Sequence, residues 1–150
     1  MRRFLLITLP LIVIGLGVYG IIGISNSSKP PSPTITVGDI NIPTAQGTYC
    51  WSGFMNSKCV DMISPLGIVA HNDLKAVVVS PEAKLNIVFK NKPKKGTLGA
   101  NIWISDEKTE TANLKGNILT VPSEKGVYVY DVHAGWEKGD SSSVFVIEVR

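Results

Sequence analysis

From Tyr128 to Trp136 every second residue is apolar, so Tyr128, Tyr130, Val132, Ala134 and Trp136 would share one face of an extended segment. The same period of two recurs in "VFVIEVR", where Phe145, Ile147 and Val149 face one way and Glu148 and Arg150 the other. It recurs again in Leu85, Ile87 and Phe89. Turn-forming groups punctuate these segments at short intervals: Gly38-Asp39, Gly47, Ser80-Pro81, Pro93 to Gly96, Gly116-Asn117, Lys125-Gly126 and Lys138-Gly139-Asp140. The pattern predicts many short strands, the last two forming an antiparallel hairpin closed by "EKGD", Glu137 to Asp140.

One segment departs from alternation. Asp61 to Leu74, "DMISPLGIVAHNDL", contains Pro65 and Gly67 and predicts a short helix or packed loop. Its apolar residues Met62, Ile63, Leu66, Ile68 and Val69 are expected to cover an open edge or end of a sandwich. Many strands, regular turns and roughly 115 residues of folding sequence together predict a mainly β protein, an antiparallel β-sandwich.

A different pattern opens the chain. Phe4–Ile24 is a run of 21 residues without a charge, about 31 Å long as a helix, close to the thickness of a bilayer's hydrocarbon core. Arg2 and Arg3 precede the run, a bias that keeps the N-terminus cytoplasmic and sends the remainder across. A cleaved signal peptide would have a shorter apolar region and a small-x-small cleavage site, for which Ser25-Asn26-Ser27 is the only passable match. The expected organisation is therefore a cytoplasmic tip and membrane anchor over 1–24, a Ser/Pro-rich tether over 25–34, and an extracytoplasmic domain over 35–150. Cleavage of the anchor would yield a secreted form.

Charge enters here because it changes meaning with location. The chain carries 15 Lys and Arg against 12 Asp and Glu, a net +3. Arg2, Arg3 and Lys29 flank the anchor, so the domain itself is close to neutral. A general basic excess is thus missing, and neither nucleic acid nor an acidic lipid surface is expected as a partner. Lys90, Lys92, Lys94 and Lys95 do cluster around Pro93 and before Gly96, which predicts a solvated turn.

The two cysteines, Cys50 and Cys59, lie in "TYCWSGFMNSKCV". Outside the cytoplasm paired thiols oxidise and stay oxidised, so a structural disulfide is expected. A zinc site would need four ligands and closer pairing of the thiols, and a redox site would be expected to use Cys-x-x-Cys. His71 and His133 are the only histidines that could complete a metal set, and nothing in the sequence brings them to the cysteines. No metal and no cofactor are expected.

Two clusters have the residue types of acid–base chemistry. His71 with Asp73 lies in the irregular segment, where Asn72-Asp73 also suits a helix stop. Asp131 with His133 sits at i, i+2 on one strand face, which equally suits a solvated polar stripe. No nucleophile elbow, zinc-binding helix motif or phosphate loop is present, so an enzyme is not expected. The expected role is a membrane-anchored binding, sensing or accessory module with a protein or envelope partner. Trp51, Phe54 and Met55, in or beside the cysteine loop, and Trp103, opposite Leu98, Ile102 and Ile104, are its candidate binding surface. A tryptophan at position 51 could instead pack into the core beside the clip. A small hydrolase or metal-binding protein using either acid–base cluster is the alternative.

Two resemblances sharpen this. "GVYVY", Gly126 to Tyr130, resembles the start of the penultimate strand of immunoglobulin-like domains. It implies that Tyr128 bonds back to the backbone at a sheet corner and that Tyr130 takes the place of the usual cysteine. "GTYCWSGFMNSKCVD" and "KGVYVYDVHAGWEKGDSSSVFVIEV" are similar to segments of small membrane-anchored extracytoplasmic proteins of Bacillus-type bacteria, a group with no assigned activity. That resemblance implies compartment and fold and no catalytic residue.

Overall fold

A computed structural model describes residues 29–53 and 56–150. The expected anchor over 1–24, and Phe54 and Met55, lie outside the described residues; among those described, no helix is long and apolar enough to cross a membrane.

The described chain is mainly β: twelve strands in two sheets with one short helix. The strands are β1 (Pro33–Val37), β2 (Ile40–Ile42), β3 (Ala45–Ser52), β4 (Ser57–Val60), β5 (Val77–Val79) and β6 (Lys84–Phe89). They continue as β7 (Gly99–Ser105), β8 (Lys108–Thr111), β9 (Asn113–Lys115), β10 (Ile118–Thr120), β11 (Gly126–Trp136) and β12 (Gly139–Val149), and helix α1 (Pro65–His71) falls between β4 and β5. The smaller sheet runs β2-β1-β6-β10-β9. The larger runs β4-β3-β12-β11-β7-β8, with β5 lying parallel to the end of β12.

The hairpin of β11 and β12 is the spine. Its ladder holds register from Gly126 opposite Val149 to Trp136 opposite Gly139, so only Glu137 and Lys138 form the turn. One face supplies Tyr130, Val132, Phe145, Ile147 and Val149 to the space between the sheets, where they meet Ile35, Leu85, Ile87 and Leu119 of the smaller sheet. Tyr130 is fully buried and stacks on Phe145 with ring centroids 4.9 Å apart. At the start of β11 the Tyr128 hydroxyl donates to the Glu124 carbonyl at 3.0 Å, tying the strand to the turn before it.

The other face of the hairpin is apolar too. Val129, Val144 and Val146 are buried there beneath α1, whose Ile68 packs on them with Leu66 and Val69. The segment over 61–74 therefore caps the outer face of the larger sheet; it does not close an edge or end of the sandwich. The reason is the unbroken run Val144 to Ile147: four apolar residues in succession leave both strand faces needing cover. Met62 and Ile63, expected to share in that cover, are 40% and 58% exposed. The helix begins where Pro65 occupies its first turn and the Ser64 side chain accepts from the Gly67 amide at 3.3 Å. It ends at Asn72, whose side chain donates to the Ile68 carbonyl, followed by Asp73 at φ 50°.

A third cluster closes one end. Trp136 meets Trp51 and Phe89 edge-on at 5.7 and 5.1 Å, and its indole donates to the Asn91 carbonyl at 2.8 Å. Beside it Cys50 and Cys59 are joined as a disulfide between directly opposed positions of β3 and β4. The same stretch of β3 pairs with β12, Cys50 opposite Asp140 and Trp51 opposite Gly139. Gly139 sits at φ 142°, and a Cβ there would run into the Cys50 carbonyl oxygen.

Two outcomes follow from this end of the molecule. Gly139→Ala is expected to lose about 2–3 kcal/mol, combining backbone strain with overpacking against β3, measured by denaturant unfolding. Replacing both cysteines by alanine is expected to lose about 2–3 kcal/mol, the loop-closure value for so short a span, while the far-ultraviolet spectrum stays that of β-sheet because β12 still holds β3.

Candidate functional site

On the outer face of the larger sheet, next to the patch that α1 covers, the residues turn polar. Alternation sends Asp131 and His133 of β11 outward, and register sets Asn101 and Gly99 of β7 beside them on one flank. On the other flank His133 faces Ser142 and Asp131 faces Val144 of β12. Between Ser141 and Ser143 the β3–β12 pairing shifts register. The Gln46 side chain spans the irregularity, donating to the Ser141 hydroxyl and the Ser142 carbonyl, both at 2.8 Å. A local bulge of this kind re-aims a side chain, here Ser142, whose hydroxyl donates to the Thr48 carbonyl at 3.3 Å.

A cleft of about 200 Å³ opens between this polar stripe and the start of α1, with Asp131, Trp103, Ser142, Thr48 and Ile68 among its walls. A shallower one of about 460 Å³ continues from it along His133, Gly135 and Asp140, and the two share Thr48 and Ser142. Two buried polar atoms are unusual here. Oδ1 of Asp131 and Nε1 of Trp103 have no hydrogen-bond partner among the described residues. One is an acceptor and the other a donor, and both belong to residues lining the same cleft.

The Asp131 side chain is only 16% exposed, and burial holds its carboxyl above the usual carboxylate range; His133 and Ser142 pull in the opposite direction without cancelling it. His133 is half exposed, with Nδ1 3.9 Å from Asp131 Oδ2, an electrostatic neighbour beyond hydrogen-bond length. Its ring lies over Gly99, where a Cβ would collide with Nε2, so the glycine is what leaves room for the imidazole.

The other sequence candidates fall elsewhere. His71 is exposed at the end of α1, and Asp73 is ion-paired with Lys75. Trp51 is 6% exposed, packed among Trp136 and Ala134. Trp103 is half-buried among the residues under α1. Among the described residues no three of His, Cys, Asp and Glu come together as a metal-binding group. Ser142 and Thr48 were not candidates from the sequence. A signal for Ser142 was present, since "SSS" opens the strand on a polar stretch ahead of its apolar run.

Compared with family models, with curated proteins and with solved structures, the chain finds no match.

Asp131 gives a test with a definite sign. Because burial raises its carboxyl above the ordinary 3.8, the folded chain holds that proton more tightly than the unfolded chain. Its contribution to stability is therefore full below about pH 4 and falls as pH rises through the folded value. Asp131→Asn is expected to be more stable than the parent at pH 7, with the advantage shrinking as the pH is lowered towards 3, measured by urea unfolding across that range.

Proposed function

We propose that this protein is a binding module of the cell exterior, held to the membrane by Phe4–Ile24, and that it recognises its ligand in the cleft between α1 and the outer face of β11 and β12. The observation that carries the reading is the pair of buried, unpartnered polar atoms, the Trp103 indole N–H and Asp131 Oδ1, in one small cleft. Burying such groups unpaired costs about 1–3 kcal/mol each, a cost that a ligand able to donate to one and accept from the other would recover. A hydroxyl or amide does both. Ile68, Pro65 and Val144 add apolar wall, so the fitting ligand is a small sugar or an amino-acid side chain with a polar end on an apolar body.

The exterior location is supported by the apolar run that opens the sequence and by the joined cysteines. An immunoglobulin-like sandwich is part of the same proposal. It is supported by the order β8-β7-β11-β12, by β5 lying parallel to β12, and by the Tyr128 tie to the Glu124 carbonyl. A second reading, hydrolysis by Asp131 acting with His133, is favoured by their approach on one strand face. In that case the cleft would hold a substrate where the binding reading holds a ligand.

The test uses the three tryptophans as reporters in the full chain reconstituted in nanodiscs. Screening small hydroxyl- and amide-bearing compounds by indole N–H resonance should shift Trp103 saturably, leave Trp51 and Trp136 in place, and lose the effect in Asp131→Ala, which removes the acceptor. A panel of sugars and amino-acid amides that moves none of the three, or moves all three alike, contradicts the proposal.

A further inference from the structure

The end of the sandwich where the chain enters from its tether carries most of the domain's exposed lysine. Pro33, the first residue of β1, pairs with Phe89, the last residue of β6, and Lys90 follows directly. The loop after it is bound to the same end of the larger sheet: the Lys94 amide donates to the Gly135 carbonyl and Trp136 donates to Asn91. Lys90, Lys92, Lys94 and Lys95 rim a cleft of about 580 Å³ whose floor includes Val88, Phe89 and Leu98. Lys138 in the hairpin turn and Lys58, opposite Trp51 on β4, stand at the same level. The acids at this level are Glu137, already paired with Lys94 at 3.2 Å, and Asp140. The acidic residues Glu82, Asp106, Glu107 and Glu124 gather at the opposite end, in the turns before β6, between β7 and β8, and before β11. The near-zero net charge of the domain thus conceals a separation along its length.

We propose that this lysine-rimmed end docks on the anionic phospholipid surface of the bilayer from which the chain emerges. The proposal rests on the anchor reading of Phe4–Ile24 and assigns the domain an orientation. Two facts single out the bilayer as occupant. Eight residues, Ser25–Ser32, separate the apolar run from β1, and even fully extended they reach about 28 Å. The entry end therefore cannot leave the neighbourhood of the membrane. Electrostatic attraction fades over about 10 Å at 0.1 M salt, so the lysines at the tethered end come within its range more readily than those at the far end. An apolar floor ringed by long, snorkelling ammonium groups also matches the boundary between headgroups and acyl chains.

Docking leaves the cleft of Asp131 free, because that cleft lies on the outer sheet face beside α1 and the docking surface lies across the strand ends. A tethered domain seated in this way would present a fixed face to its ligand.

The experiment reconstitutes the full chain in vesicles of phosphatidylcholine alone or with about one third phosphatidylglycerol and maps amine acetylation by mass spectrometry. Lys84, Lys108 and Lys125 serve as internal controls. Lys90, Lys92 and Lys95 should be protected at least about fivefold on the anionic vesicles relative to the neutral ones. The protection should vanish in 1 M salt, and Lys58 and Lys138, protected with them at the same end, should become as reactive as on neutral vesicles in the Lys90→Gln, Lys92→Gln, Lys95→Gln variant, while the control lysines react equally throughout. Equal labelling of the two groups on both vesicles overturns docking, as does protection by soluble dextran sulfate but not by anionic vesicles, which would point to an envelope polyanion. Flotation after carbonate extraction reads the anchor separately. A chain that fails to float refutes the anchor, and the same labelling with added anionic vesicles still decides whether the lysine end seats on lipid.

Discussion

Everything in this domain leans on one antiparallel hairpin that is dry on both sides. The ladder of β11 and β12 is continuous over eleven residues of each strand, and Val144 through Ile147 are buried whichever way they point. An antiparallel pair with one apolar face needs only a second sheet. A pair with two needs a third layer, and α1 is that layer. The helix is seven residues long and would not persist alone in water; its order comes from the valines beneath it. The cleft beside it exists because the helix covers the apolar half of the outer face and stops short of the polar half.

That division also explains the energetic character of the site. Asp131 sits two residues from buried Val129 and directly opposite buried Val144, so its carboxyl loses solvent to its neighbours without gaining an ion partner within bonding distance. A protein optimised for stability alone would place asparagine or threonine there. A desolvated acid, an indole without an acceptor among the described residues and a serine at a bulge within one small space all cost stability, and that cost is what the proposed binding would recover.

Much of the fold was legible in the sequence, because period-two alternation and turn residues are local signals. The alternating face from Tyr128 to Trp136, the hairpin and the joined cysteines all follow from residues close in the chain. The third layer was harder to read: Val144 and Val146 lie on the face that Glu148 marks as wet, and only their adjacency to Phe145 and Ile147 signals that part of that face is dry. The candidate site was half legible. Asp131 and His133 share a face by spacing alone, whereas Ser142 reaches them through strand register and a bulge, and Trp103 through pairing of β7 with β11, neither of which any local pattern encodes. The lysine cluster was visible as a turn, yet its position beside the start of β1 depends on the pairing of Pro33 with Phe89 across more than fifty residues of chain.

Native-state hydrogen exchange on the full chain measures the central dependence most directly. If the doubly buried hairpin organises the domain, the amides from Val129 to Val132 and from Val144 to Ile147 form the slowest set, and α1 loses protection only when its valine seat opens with them. A hairpin whose amides exchange readily while the smaller sheet stays protected would show that the core lies elsewhere, and the account of the cleft would fall with it.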